Sequence, residues 1–457
     1  MDFCNKYEFF LKMTFISCIM IFFNALTPTA FTEKSSVPPI TNISDTQPKN
    51  HPWKIVAIEV HGNKRTKDYV ILRELKLKPG CEATLEDIEI DRKRVQNLGL
   101  FTRVEVGAMQ QDDGIVLQII VTERWHIFPY PIFYRNEKDW KKLSYGFGLS
   151  YYNFRGRNES FSSDLWFGYN PGLSFGYYNP WFGGKLRLYS RVEIYKGSVK
   201  SKSLYAEAFN EKRFGISYTL GKRIGYHTFI DFGLTHVNLT TTAKEAIYTL
   251  SQSGKDRWFS YHWRFRYDTR DLYEYPHKGM YITAYIQKAG HRGNVINYSR
   301  FGADMRTYIP ITATWTLSMR SACDLSRGHI PIYDHKYLGY GERIRGYFYD
   351  RFEGENRLLG GAAVRFPIRK ITYHTFFQDT PFRDYYRNLK FGISGEFFID
   401  SGLVWYQSEE IKSEEILVGY GAGIHFHLPY IYLLRMEYGF NKDGHGQWIL
   451  FDVGVPF

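Results

Sequence analysis

From Trp125 to Phe457 the chain alternates apolar and polar residues in one short stretch after another, and no helical period interrupts the pattern. Leu143, Tyr145, Phe147, Leu149 and Tyr151 alternate with Ser144, Gly146, Gly148 and Ser150. Phe259, Tyr261, Trp263, Phe265 and Tyr267 alternate with Ser260, His262, Arg264, Arg266 and Asp268. A period of two belongs to a β-strand, whose successive side chains point to opposite faces. In a soluble sandwich the ring face would line a core; in a membrane barrel it meets lipid while the charged face lines a wet lumen. An open sheet of this extent would leave long edges of unpaired backbone groups, and closure removes them. At roughly twenty residues per strand and connection, the length suits about sixteen strands, although fourteen or eighteen would also fit.

Composition agrees with such a barrel. Beyond the first thirty residues no segment is apolar for the ~18 residues a membrane helix needs, which excludes a helical membrane protein. The 37 tyrosines, 36 phenylalanines and 40 glycines suit strands with interfacial rings and tight turns. The net charge of +12 comes from lysines and arginines scattered along strands, with no basic helix or run, so nucleic acid is not an expected partner.

The N-terminus is organised differently. Lys6 and Lys12 border an apolar stretch over 13–26 that runs into Thr27-Pro28-Thr29-Ala30, the plan of a secretory signal over residues 1–30. Residues 31–52, rich in Thr, Ser, Pro and Asn, read as a disordered tether. Residues 53–124 then read as a small α+β domain. A strand over 54–60 is followed by a helix over 69–77 that Pro79-Gly80 ends, and by a second helix with Leu85, Ile88, Val95 and Leu98 on one face. Thr84 and Asp87 can cap that helix and Gly99 can stop it. Two strands joined across Asp112-Asp113-Gly114 complete the unit. Cys81 and Cys323 fall in different domains, so no disulfide framework is expected.

Four strings carry a resemblance. Ile344-Arg345-Gly346-Tyr347 is similar to a loop-six signature; Phe398, Asp400 and Gly402 match a strand-borne aromatic-x-Asp-x-Gly; Val60-His61-Gly62-Asn63 and Leu98-Gly99-Leu100-Phe101 resemble passages of the polypeptide-transport-associated (POTRA) domain. Asp268-Thr269-Arg270-Asp271, Pro276-His277-Lys278-Gly279 and Gly419-Tyr420-Gly421-Ala422-Gly423 have the same look. Over residues 54–457 the chain resembles the outer-membrane assembly and two-partner secretion superfamily, which joins POTRA modules to a sixteen-stranded surface-antigen barrel. The resemblance implies an α+β POTRA domain followed by a transmembrane antiparallel β-barrel over 125–457, in the bacterial outer membrane with the POTRA domain in the periplasm. It implies a lipid bilayer and unfolded outer-membrane or secreted polypeptides as partners, and it allows accessory lipoproteins. No cofactor is expected.

The physical logic of the signatures stands beside it. A loop folded into a lumen needs a fixed contact, and an arginine fork suits a carboxylate in a confined site. Arg345 is therefore expected to pair with Asp400, with Glu396 on the same strand face assisting and Gly346 turning the backbone just beyond the charge. Arg187, Arg191, Arg264, Arg266, Arg306, Arg320, Arg365 and Arg435 are candidates for a basic inner wall. Phe451, Val453, Val455 and Phe457 share a face of the last strand and resemble a C-terminal assembly signal. Ile58 and Val121 are candidate positions where the POTRA sheet edge takes a client strand.

In the expected assembly function the first barrel strand, placed near residues 144–152, pairs poorly with the last and opens a seam to an incoming strand. Polypeptide secretion of the two-partner type is the alternative, and a diffusion pore a further one. An enzyme is not expected, since neither Gly-x-Ser-x-Gly nor His-Glu-x-x-His occurs. His425 and His427 share a strand face but show no third ligand, so no metal is expected.

Overall fold

The computed structural model describes residues 52–453 except 112, 137–138, 208, 242–246, 292–294, 340, 349 and 378–382. The expected signal, nearly all of the expected tether, and Val455 and Phe457 lie outside the described residues.

The first unit runs β1 (Trp53–His61), α1 (Asp68–Leu72), β2 (Glu82–Ala83), α2 (Leu85–Gln96), β3 (Phe101–Gln111) and β4 (Gly114–Glu123). Its sheet order is β2-β1-β4-β3, with β1 and β4 parallel. Val70, Ile71, Leu75, Val95, Leu100, Phe101, Val104, Ile119 and Val121 form one buried cluster, and Ile55, Leu77, Ile88, Ile115 and Leu117 lie in a second. The expected cap is present: Thr84 Oγ1 accepts from the Asp87 N–H at 3.2 Å, and Asp87 Oδ2 accepts from the Thr84 N–H at 3.1 Å. The Thr84 hydroxyl, donating to Asp87 Oδ2 at 2.7 Å, and then the Thr84 N–H hold the Asp87 carboxyl below the usual carboxylate range. The first helix is shorter than the sequence suggests. The buried Asp91 of α2 takes the N–H groups of Lys76 and Leu77 at 3.0 and 2.8 Å, so the chain leaves the helix to meet this carboxylate.

One expectation is corrected here. Val121 is not at a sheet edge: β4 lies between β1 and β3, because the connection from β1 returns the last strand parallel to it. Ile58 does border an open side, since β2 pairs with β1 only at Trp53 and Lys54.

Sixteen strands among the described residues form one antiparallel sheet. They are β5 (Ile127–Arg135), β6 (Leu143–Phe154), β7 (Glu159–Gly168), β8 (Gly172–Phe182), β9 (Leu188–Lys200), β10 (Asn210–Ile224), β11 (Thr228–Thr240) and β12 (Lys255–Asp268). There follow β13 (Gly279–Gly290), β14 (Asn297–Pro310) and β15 (Thr316–Gly328). A small hairpin, β16 (Lys336–Leu338) with β17 (Phe352–Gly354), stands in the long loop before β18 (Asn356–His374). The sheet ends with β19 (Leu389–Trp405), β20 (Leu417–Leu428), β21 (Ile431–Asn441) and β22 (Gly446–Val453). Each barrel strand neighbours the next in sequence, with β18 beside β15, and β5 and β22 stand at the two ends of the order. This is the expected fold class.

The first barrel strand is β5, not the stretch near 144–152, which belongs to the second strand β6. Pro129 and Pro131 hide β5 from a propensity reading, since proline argues against a strand interior. The side-chain alternation follows the pleat. Tyr145, Phe147, Leu149, Phe259, Trp263 and Phe265 are exposed on the outer face. Inside, Arg264 meets Asp231 at 3.0 Å, and Asp304 holds both Arg306 and Arg320 at 2.7 and 2.9 Å. Arg187 is not on the inner wall but in the turn before β9, at a left-handed φ of 53°.

Candidate functional site

The loop between β15 and β18 folds back onto the inner faces of β19, β20 and β21. Arg345 sits at its tip with 4 % of its surface exposed. Its Nε donates to Asp400 Oδ2 at 2.6 Å and its Nη2 to Asp400 Oδ1 at 2.7 Å, a two-pronged fork, and its backbone N–H adds a bond to Asp400 Oδ2 at 3.2 Å. Nη1 donates to Glu396 Oε1 at 2.5 Å and to Glu437 Oε1 at 3.1 Å. The guanidinium plane lies 3.7 Å from the Phe398 ring centroid, so the ring covers a face that carries no hydrogen-bond donors. Glu396, Phe398, Asp400 and Gly402 all fall on the inner face of β19, as the period of two requires.

The backbone of the tip is seated as closely as its charge. Gly346 has φ +100°, a conformation that favours glycine, and a Cβ there would lie 2.4 Å from the Phe440 carbonyl oxygen. On the wall, a Cβ at Gly419 would lie 1.7 Å from the Arg345 carbonyl oxygen, and one at Gly439 2.6 Å from the Gly346 nitrogen. Ile344 and Tyr347 are buried with Leu338, Leu359 and Leu417.

A second insertion enters from the opposite end. The turn between β12 and β13 sends Tyr275 inward, where its hydroxyl lies 3.1 Å from His425 Nδ1 and its ring meets those of His425 and His427 edge-on. Arg365 donates to the Pro276 carbonyl at 2.6 Å and stacks on Tyr275. His425 Nε2 in turn lies 3.4 Å from Glu396 Oε1, so this turn reaches the carboxylate that Arg345 binds. Replacing Tyr275 with Phe removes one hydroxyl and keeps the ring. The expected cost is about 1 kcal/mol, read as a lower thermal midpoint in detergent.

The same turn touches the first unit. Lys93 Nζ lies 3.1 Å from Asp271 Oδ2, and Asn97 both donates to the Asp271 carbonyl and accepts from the Tyr273 N–H, each at 2.9 Å. Other turns at this end are also docked: Arg223 forks onto Glu74 at 2.8 and 2.7 Å, Tyr226 donates to the Leu75 carbonyl at 3.0 Å, and Asn153 donates to Thr66 at 2.8 Å. Burial works to raise the Asp271 carboxyl, but bonds from the His277 and Lys278 N–H groups and the Lys93 charge bring it below its ordinary value. A depressed carboxylate contributes above its unfolded value and loses that contribution as pH falls through the folded one. Asp271→Asn is therefore expected to loosen the docked domain by about 1 kcal/mol at neutral pH and to change little in strong acid. Hydrogen exchange across α2 reads both.

The structure thus brings Arg345, Asp400 and Glu396 together, with Gly402 against Ile344, where the Cδ1 would lie 2.7 Å from an added Cβ. It adds Glu437, Gly439 and Tyr275, which sequence reasoning missed, and it gives Gly419, singled out in the sequence only as part of a string, a place against the loop tip. Glu437 left a signal: Arg435, Glu437, Gly439 and Asn441 alternate with Leu434, Met436, Tyr438 and Phe440. Phe451 and Val453 belong to β22, where Val453 stands opposite Leu434. Glu396, His425 and Glu437 have potential ligand atoms within 4.8 Å of one another, the one such group among the described residues. The Arg345 guanidinium already binds two of these three groups and supplies the positive charge a metal would bring.

Comparison with known proteins adds two findings. The pattern of the Omp85 superfamily domain matches residues 153–457, and that of the POTRA family, described as a surface antigen variable number repeat, matches residues 54–124. Among solved structures, BamA from Haemophilus ducreyi lacking POTRA domains 1-3 is similar over 88% of this chain and 84% of that one, with 16% identity and a TM-score of 0.52. CdiB from Escherichia coli is similar over 87% of this chain and 73% of that one, with 12% identity and a TM-score of 0.57. At such identities the likeness is one of fold.

Proposed function

The chain belongs to the Omp85 superfamily, and on that premise we propose that it is an assembly factor of the bacterial outer membrane, inserting β-barrel clients with its POTRA domain on the periplasmic side. Members of the superfamily are assembly factors or polypeptide transporters, so the choice between them rests on this chain's own geometry.

The observation that carries the assembly reading is a lumen entered by a seated loop from each end. Export through it requires the Arg345 tip to leave three carboxylates, and separating a buried pair of this kind costs about 3–5 kcal/mol. It also requires the Tyr275 turn and the docked first domain to move aside. Insertion at the seam requires only that β5 and β22 part, and among the described residues no ladder joins them. In this reading Ile58, at the open side of β1, is where a client strand is first taken by addition to the sheet, and residues 451–457 carry the chain's own assembly signal. Arg345, Asp400, Glu396 and Glu437 hold the lid shut throughout.

The test is reconstitution of the full chain in lipid vesicles with a denatured eight-stranded outer-membrane barrel as client. Faster folding of the client into the bilayer, read by heat-modifiable migration on gels, is the expected result. Passage of an unfolded chain into the vesicle interior without insertion overturns the reading in favour of secretion. A large steady conductance in planar bilayers overturns it in favour of a pore.

A further inference from the structure

At the end of the barrel away from the first unit, acids turn inward and cations turn out. Glu211-Lys212-Arg213 stands near the start of β10, and Lys255-Asp256-Arg257 opens β12. Asp256 is buried and accepts from the Tyr333 hydroxyl at 2.6 Å; Glu211 is buried against Arg213, which also donates to the Tyr333 carbonyl at 2.6 Å. With Glu211 and Asp256 inside, the period of two turns Lys212, Lys255 and Arg257 outward, where all three are exposed. Lys196 of β9 is exposed on the same face, opposite Phe214.

Register gathers these four cations. Lys212 and Lys255 stand on either side of Thr240 in one cross-strand row, while Lys196 and Arg257 close the two ends of the next, with Phe214 and Asn238 between them. The patch spans three strand spacings, about 14 Å, and two rows about 7 Å apart. Directly below it run Ile194, Ile216, His236 and Phe259, and then Val192, Tyr218, Leu234 and Tyr261. The surface thus passes from cationic to largely apolar within two residues, as at the border between headgroups and acyl chains.

No aspartate or glutamate stands on the outer face of β9–β15, and among the described residues none of the four cations has an ion pair. On the same face near the docked first unit, these strands carry Lys222 alone. Solubility at a wet rim would be served by either sign of charge, so this one-sided choice calls for an anion. A phosphodiester offers one negative charge. Two phosphate monoesters offer about three to four, which matches the four cations.

We propose that the outer rim of β9–β12 binds a membrane glycolipid whose sugar headgroup carries two phosphate monoesters. Lys196, Lys212, Lys255 and Arg257 take the phosphates, and the apolar rows below take the acyl chains. The proposal goes beyond the assembly reading and is independent of it, since no client takes part.

The experiment uses the full chain in a neutral detergent with three probes: an acylated diglucosamine carrying two phosphates, the same lipid with its phosphates removed, and phosphatidylglycerol. Bound lipid is read by native mass spectrometry. The phosphorylated glycolipid is expected to bind on the order of tenfold or more tighter than either of the others, and less tightly as salt is raised. Each cation removed should weaken it about fivefold, so K196S/K212S/K255S/R257S should bind on the order of a hundredfold less, whereas K222S should bind as the unaltered chain does.

Heat-modifiable migration on gels shows whether each variant is folded. Should the fourfold variant not fold, Lys212→Ser and Arg257→Ser singly carry the same test at about fivefold each. Equal binding of the phosphorylated and dephosphorylated glycolipids overturns the proposal, as does undiminished binding by the folded variants. Phosphatidylglycerol bound as tightly as the glycolipid overturns it too, because the rim would then read negative charge of any kind.

Discussion

Arg345→Ala is expected to release the loop tip and to cost about 3–5 kcal/mol of barrel stability, because it leaves three carboxylates in a buried site without the group that neutralises them. Arg435, 3.0 Å from Glu437, and His425, near Glu396, soften the loss but cannot reach Asp400 in the same way. The measurements are the thermal midpoint in detergent and cleavage of residues 336–354 by added protease, which the seated loop should resist. Arg345→Lys keeps the charge but not the planar fork, so it should recover only part of the loss. The exchange R345D/D400R is similarly expected to recover part. A new Asp at 345 meets Glu396 and Glu437, while Arg at 400 regains Glu396 as a partner. A fully stable, protease-resistant R345A protein would show that the fork does not hold the loop.

Gly419→Ala should unseat the same loop without altering a single charge. The new Cβ would lie 1.7 Å from the Arg345 carbonyl oxygen, and a backbone atom cannot swing aside as a side chain can. The tip must retreat by more than an ångström, which no fork at 2.6 and 2.7 Å survives. The expected loss is about 3 kcal/mol or more, from overpacking together with the broken pairs. Gly360→Ala is the control, since its Cβ would meet only the Ser401 hydroxyl at 3.2 Å. The combination G419A/R345A should be little worse than R345A, because both changes report one event, the seating of the tip. Additive losses would mean that Gly419 matters for the sheet and not for the loop.

Part of the candidate site is legible in the sequence. Arg345 followed by Gly346 reads as a charge on a tight turn, and Asp400 with Glu396 reads as an acidic strand face; both are patterns within a few residues. Tyr275 is not legible there: the strings on either side of it, Asp268–Asp271 and Pro276–Gly279, stand out in the sequence, but nothing in them gives the ring a task until it is found against His425 and His427. The wall glycines form a recognisable string with no evident task. Only the close approach of the Arg345 carbonyl oxygen to Gly419, where an added Cβ would lie 1.7 Å away, supplies one.

By itself the sequence determined the strand period, the two-part architecture, the capped helix α2 and the residues of the lid, because each depends on neighbours along the chain. Tertiary structure alone decided that β4 lies inside its sheet, that β5 precedes the expected first strand, that Glu437 joins the Arg345 site and that the two insertions meet at Glu396. Those facts depend on which strands become neighbours when the sheet curls and in what register they align. Local propensity carries no record of that alignment, since a period-two pattern is equally satisfied by every partner that presents the same faces.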